Sequence, residues 1–213
     1  MAAAIATNFS IGLSQNPIHL PITATDTVAD VVFLLDTSST AQPYFNDTGV
    51  RVGLVTVPGD AEATFPVAAL GQITNTETLL QALNDIPVHY SDFNNNAQFL
   101  GSALDLVIQE YTTSHNGYRS EIKNHWIIYL TSAAGVSDFG DAVQETFDLK
   151  TSKLYSILSI AYGNGAMNLQ DIQKFSGGSS CAFSTTGQDT LFLKITTNIQ
   201  QQISSNDGSF CMA

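Results

Sequence analysis

Positive charge is scarce in this chain: seven Lys and Arg stand against nineteen Asp and Glu, a net charge of −12 over 213 residues. Nucleic-acid backbones and anionic membrane surfaces are held chiefly by clustered Lys and Arg, so both are disfavoured as partners. A divalent cation or a basic protein patch suits an acidic chain better. Cysteine is nearly absent too. Cys181 and Cys211 are too few for a zinc site, and His19, His89, His115 and His125 are scattered along the chain. No apolar run approaches the ~20 residues that span a bilayer. No G-x-S-x-G turn marks a hydrolase nucleophile, although Ser38, Ser132 and His125 supply the residue types.

Apolar content is not scarce. It stands at 44% with mean hydropathy +0.08, which argues against disorder and for one domain with a sizeable core. Residues 1–26, with Pro17 and Pro21, read as an irregular lead-in. A domain over 27–205 follows, then a tail over 206–213. Strands are expected at about 28–35, 50–57, 63–67 (an edge strand because of Pro66), 125–131, 154–161 and 181–183. Helices are expected at 76–86, 97–111, 139–151, 168–175 and 189–203, from apolar residues three and four apart. Ser137 or Asp138 is the expected N-cap of the third. Alternation of strand and helix predicts an α/β fold with a doubly wound, mainly parallel sheet and one antiparallel edge strand.

One stretch organises the rest. Val31 to Leu35 are apolar without alternation, as in a strand buried on both faces, and the run stops at Asp36, followed by Ser38 and Thr40. Ligand sites of open α/β sheets lie beyond the carboxyl ends of the strands. A carboxylate with two hydroxyls is donor chemistry for a hard cation, while a strand-end turn bonded to its own backbone is the structural alternative. Asp36-x-Ser38-x-Thr40 resembles the metal-ion-dependent adhesion site of von Willebrand factor A domains. Gly53-Leu-Val, Gly101-Ser-Ala-Leu104, Ile127 to Thr131, Ile160 to Gly163 and Asp171 to Gly177 follow in that family's order.

The resemblance implies a non-enzymatic, adhesion-type module that contacts a protein ligand at the top of the sheet through the Asp36–Thr40 loop. The ion it implies is Mg²⁺, with Mn²⁺ or Ca²⁺ as alternatives, held by Asp36, Ser38 and Thr40. Gln98 and Ser132 are further candidate ligands, standing where the family has Thr and Asp. Those two exchanges leave Asp36 as the charged ligand, so the alternative is a structural module of a larger secreted protein with a metal-free site. The first crossover is short as well: residues 41–49 carry Pro43 and Gly49 and leave no room for the family's helix. A bare apolar face over β-residues such as Val31, Phe33, Leu35, Val52 and Leu54 is therefore expected. Either residues 1–26 cover it or the chain associates through it.

Low charge and abundant amide and hydroxyl side chains favour an extracellular protein. Asn8-Phe-Ser10 and Asn46-Asp-Thr48 fit the glycosylation pattern, but the N-terminus lacks the basic and compact apolar regions of a signal peptide. In an oxidising compartment Cys181 and Cys211 are expected to pair; in a reducing one Cys181 is a small buried hydrophobe. Gly163-Asn-Gly165 before Asn168 echoes a dinucleotide turn but lacks its third Gly. Tyr90 to Phe93 lies in a loop near the expected top face, where an exposed aromatic could anchor a ligand.

Overall fold

The computed structural model describes residues 29–36, 50–59, 64–86, 97–185 and 197. Six strands form one sheet in the order β3-β2-β1-β5-β7-β8: β1 Ala29–Asp36, β2 Val50–Val57, β3 Pro66–Ala68, β5 His125–Thr131, β7 Ser156–Tyr162 and β8 Ala182–Thr185. All neighbours run parallel except β2 and β3. Pro66 lies on that antiparallel edge, where its missing N–H leaves no ladder bond unmade. Two short strands, β4 Ala97–Gln98 and β6 Gly135–Val136, pair separately. The α/β fold with a doubly wound, mainly parallel sheet is thus the one the alternation predicts.

Helix α1 (Thr76–Asp85) starts in a capping box: Asn75 Oδ1 accepts from the Thr78 N–H at 2.9 Å, and Thr78 Oγ1 accepts from the Asn75 N–H at 3.1 Å. Helix α2 (Leu100–Glu110) begins three residues later than its periodicity suggests, because Ala97 and Gln98 pair with Gly135 and Val136 instead. Helix α3 spans Phe139–Ser152. The helix expected at 168–175 is a single turn, α4 (Leu169–Ile172), running into a 3₁₀ turn at Gln173–Phe175.

Each face of the sheet carries its own apolar layer. On one, Val32, Val55, Ile127, Tyr129 and Ile157 cluster with Leu100, Leu104 and Val107 of α2, with Tyr111 just after it, and with Ala142 and Leu149 of α3. On the other, Val52, Leu54, Trp126, Ile128, Leu158 and Ile160 cluster with Leu79 and Leu83 of α1 and with Ile86. Burial of each such Leu or Ile contributes ~1.5–3 kcal/mol. The expected bare face is not found on β2. Val52 is 6% exposed and Leu54 0%, since α1 closes over them. The side chains of Val31, Phe33 and Leu35 lie outside the described set, as do residues 1–26, the Asn8 and Asn46 triplets, Tyr90 to Phe93 and the helix expected at 189–203. Cys181 is fully buried and is not a free thiol; Cys211 falls outside the described residues.

Two glycines fix how closely α2 approaches its neighbours. A Cβ on Gly53 would stand 2.5 Å from the Tyr111 ring, whose hydroxyl donates to the Leu54 and Ala68 carbonyls at 3.0 and 2.8 Å. That hydroxyl ties α2 to both strands of the edge hairpin. A Cβ on Gly101 would stand 2.8 Å from the Ala142 nitrogen and 2.8 Å from Asp138 Oδ2. The N-terminal turns of α2 and α3 can pack this tightly only without a side chain there.

Candidate functional site

The carboxyl ends of the parallel strands form the upper rim of the sheet. Asp36 closes β1, opposite Val57 and one position past the Leu35–Leu130 pair, which brings its backbone level with Thr131 at the end of β5. Ser38 and Thr40 lie outside the described residues, and of Asp36 only the backbone is described.

Gln98 sits at the centre of what is described there. It is 0% exposed, and its Nε2 donates to Tyr129 Oη and to Thr131 Oγ1. Thr131 Oγ1 also accepts from the Ala133 N–H at 3.0 Å. Gln98 Oε1 is buried without a hydrogen-bond partner. The backbone around it is pinned: the Ser137 N–H donates to the Gln98 carbonyl at 2.8 Å, and the Phe99 N–H to the Pro58 carbonyl at 3.0 Å. A further backbone bond, Met167 N–H to the Ala133 carbonyl at 2.9 Å, joins the loops after β5 and β7. Ser132, directly after Thr131, is half-buried in the first of these loops. The structure therefore brings Gln98 to Thr131 at the end of β5, the residue before Ser132.

Asp138 holds the N-cap position of α3, yet its side chain makes no bond within that helix. Its Oδ2 accepts instead from the Ser102 N–H of α2 at 2.9 Å. A carboxylate beside the first turn of a helix satisfies a free N–H and faces the positive end of the dipole. Asp138 thus caps the neighbouring helix, while its Oδ1 is buried without a partner. Sequence reasoning missed this cross-helix cap, and it missed Tyr129 as a partner of Gln98. Only the Gly at 101 hinted at so close an approach.

The expected Mg²⁺, Mn²⁺ or Ca²⁺ is not supported. Among the described residues no group of three or more His, Cys, Asp or Glu is placed to hold a metal ion. Around Gln98 the described donors are a neutral amide and neutral hydroxyls, and the Asp138 carboxylate is turned to the Ser102 N–H, whereas hard dications are held by several oxygens, carboxylates among them. Thr131 Oγ1 already accepts two N–H bonds, which uses both of its lone pairs.

A strand-end loop beside a parallel sheet with this order of elements matches a known family. The von Willebrand factor type A domain model covers residues 30–198, and the chain belongs to that family. Its members are non-catalytic protein-interaction modules, and that is the class to which this chain is assigned. The Caenorhabditis elegans protein irg-7 is 32% identical over 223 residues, covering 95% of this chain; the chain spans 10% of the length of that relative. Among solved structures, proximal thread matrix protein 1 of the mussel byssus superposes with a TM-score of 0.65 at 15% identity, over 84% of this chain and 49% of that one. Another structure of that mussel protein has zinc in its adhesion-site motif. The manganese-loaded TRAP protein of Plasmodium vivax gives a TM-score of 0.55 at 14% identity, over 85% of this chain and 75% of that one. At these identities the structural likeness speaks for the fold alone. No helix among the described residues is long and apolar enough to cross a membrane.

Proposed function

We propose that this chain is a protein-binding module of a longer, secreted protein, and that it recognises its partner at the upper rim of the sheet without a metal ion. The observation that carries this reading is Gln98: a buried amide bonded to two hydroxyls stands in the donor set that would otherwise face an ion. Placement in a longer protein is supported by irg-7, of which a chain of this kind is one tenth. Secretion rests on composition, low in charge and rich in amide and hydroxyl groups. The segment from Asp36 through Ser38 to Thr40, together with Ser132, is the proposed contact surface, and 27–205 the proposed extent of the folded unit.

The test is site-specific photo-crosslinking in the tissue or extract that expresses the protein, with chelator present throughout. A crosslinker at exposed Ala134, in the loop after β5, should trap a partner protein. The same group at exposed Lys123, just before the start of β5 and so at the opposite end of the sheet, should not. Trapping that requires added Mg²⁺ or Mn²⁺, or that occurs only from position 123, would contradict the proposal.

A further inference from the structure

We infer that the Gln98 carboxamide does the structural work of an ion: it cross-links the rim of the sheet from within and thereby closes the site to cations. The inference deepens the metal-independent reading above and rests on it. Its basis is the geometry of one side chain. An amide nitrogen has two hydrogens, and Gln98 commits both, one to Tyr129 Oη and one to Thr131 Oγ1. Those hydrogens carry partial positive charge and take one lone pair of each hydroxyl oxygen, so a cation approaching from the Gln98 side meets N–H rather than lone pairs. The second lone pair of Thr131 Oγ1 is taken by Ala133. Among the described groups of this contact, the other acceptors are Gln98 Oε1 and the second lone pair of Tyr129 Oη, both neutral, whereas a hard dication is held by several oxygens with carboxylates among them.

The side chain is also held in place from its backbone. Gln98 pairs with Val136 between β4 and β6, and its carbonyl accepts from Ser137. Gln98 therefore joins three segments: β4 carries it, β5 receives its side chain, and the loop entering α3 receives its carbonyl. It is a positioning residue, and the arrangement it holds is the same with or without divalent cations. The rim of this chain is accordingly a site whose shape is set at folding, not one assembled when an ion binds.

The experiment compares the wild-type chain with the double variant Gln98→Thr, Ser132→Asp, which removes the amide and supplies a second carboxylate. Thermal unfolding is followed in chelator and in millimolar Mg²⁺ or Mn²⁺. Wild type should melt at the same temperature in both. The folded double variant should gain a saturable rise of ~5 °C that chelator abolishes, because an ion bound only to the native state raises apparent stability. If the double variant shows native circular dichroism but no metal response, Gln98 is not what excludes the ion, and the inference fails while the metal-independent reading stands. A saturable metal response in wild type itself would overturn both. Gln98→Met gives an independent reading should the double variant not fold. It keeps the length of the side chain without its N–H groups. It should lower the melting temperature by roughly 3–8 °C and speed amide exchange at 97–99 and 135–137, whereas unchanged exchange there would refute the cross-link.

Discussion

Negative charge and buried polar contacts occupy different parts of this molecule. Asp105 on α2 and Asp141, Glu145 and Asp148 on α3 crowd one outer surface, where burial and then the charges of Asp105, Asp148 and Asp141 raise the Glu145 carboxyl above its ordinary range. At the upper rim the described polar contacts run through an amide, two hydroxyls and backbone groups, with the Asp138 carboxylate turned to the N-terminus of α2. A net charge of −12 invites the idea of a cation site, yet the described carboxylates gather where water solvates them rather than where a ligand would be organised. Formal charge bounds the class of partner; the chemistry of a site depends on which few side chains are buried there.

The largest effect should come from Gly101, where the acid-bearing helices and the rim meet. Gly101→Ala places a Cβ against the backbone of Ala142, so α2 and α3 must move apart. A loss of ~2–3 kcal/mol is expected, read as a lower urea midpoint. A loss below ~0.5 kcal/mol would mean that the helix contact is looser than described. Next is Asp138→Ala, which removes the cap on Ser102 but also a buried oxygen without a partner. The net loss should be about 1 kcal/mol. Amide exchange should quicken in the first turn of α2 and not in that of α3, and the reverse pattern would show that Asp138 caps its own helix.

The smallest effect belongs to the outer surface. The native state holds a proton on Glu145 more tightly than the unfolded chain does, so ionised Glu145 opposes folding at neutral pH. That opposition fades as pH falls through the raised carboxyl range towards the ordinary one, where both states are protonated. Glu145→Gln should therefore raise the melting temperature slightly at pH 7 and leave it unchanged in acid. A larger gain in acid would reverse the sign and the assignment. None of these three variants should confer a response to Mg²⁺, which keeps the acidic surface and the rim separable.

Much of the fold was legible because period and punctuation agree. Mainly apolar runs without alternation at 125–131 and 154–161 mark strands buried on both faces, and Pro66 marks the edge. Helix α1 begins at its capping box and gives way before Pro87. The start of α2 was misjudged because Ala97 and Gln98 suit a helix locally, and only pairing with Gly135 and Val136, nearly forty residues on, makes them a strand. On β2 the apolar face is covered, because Val52 and Leu54 pack in one layer with Leu79 and Leu83 of α1; the cover expected from residues 1–26 lies outside the described residues. At the site, sequence order singled out Gln98 and Ser132 as candidate positions. It could not show that Gln98 faces Tyr129 and Thr131, since contacts between side chains more than thirty residues apart leave no periodic trace.

The central claim, a rim organised by an amide instead of an ion, is tested most directly by equilibrium Mn²⁺ binding to the wild-type chain, followed by the paramagnetic resonance of free Mn²⁺. The account predicts that the free-ion signal follows total Mn²⁺ through the millimolar range, with no stoichiometric uptake. Saturable uptake of one ion per chain, lost in Gln98→Ala, would show that Gln98 is a ligand and contradict the account.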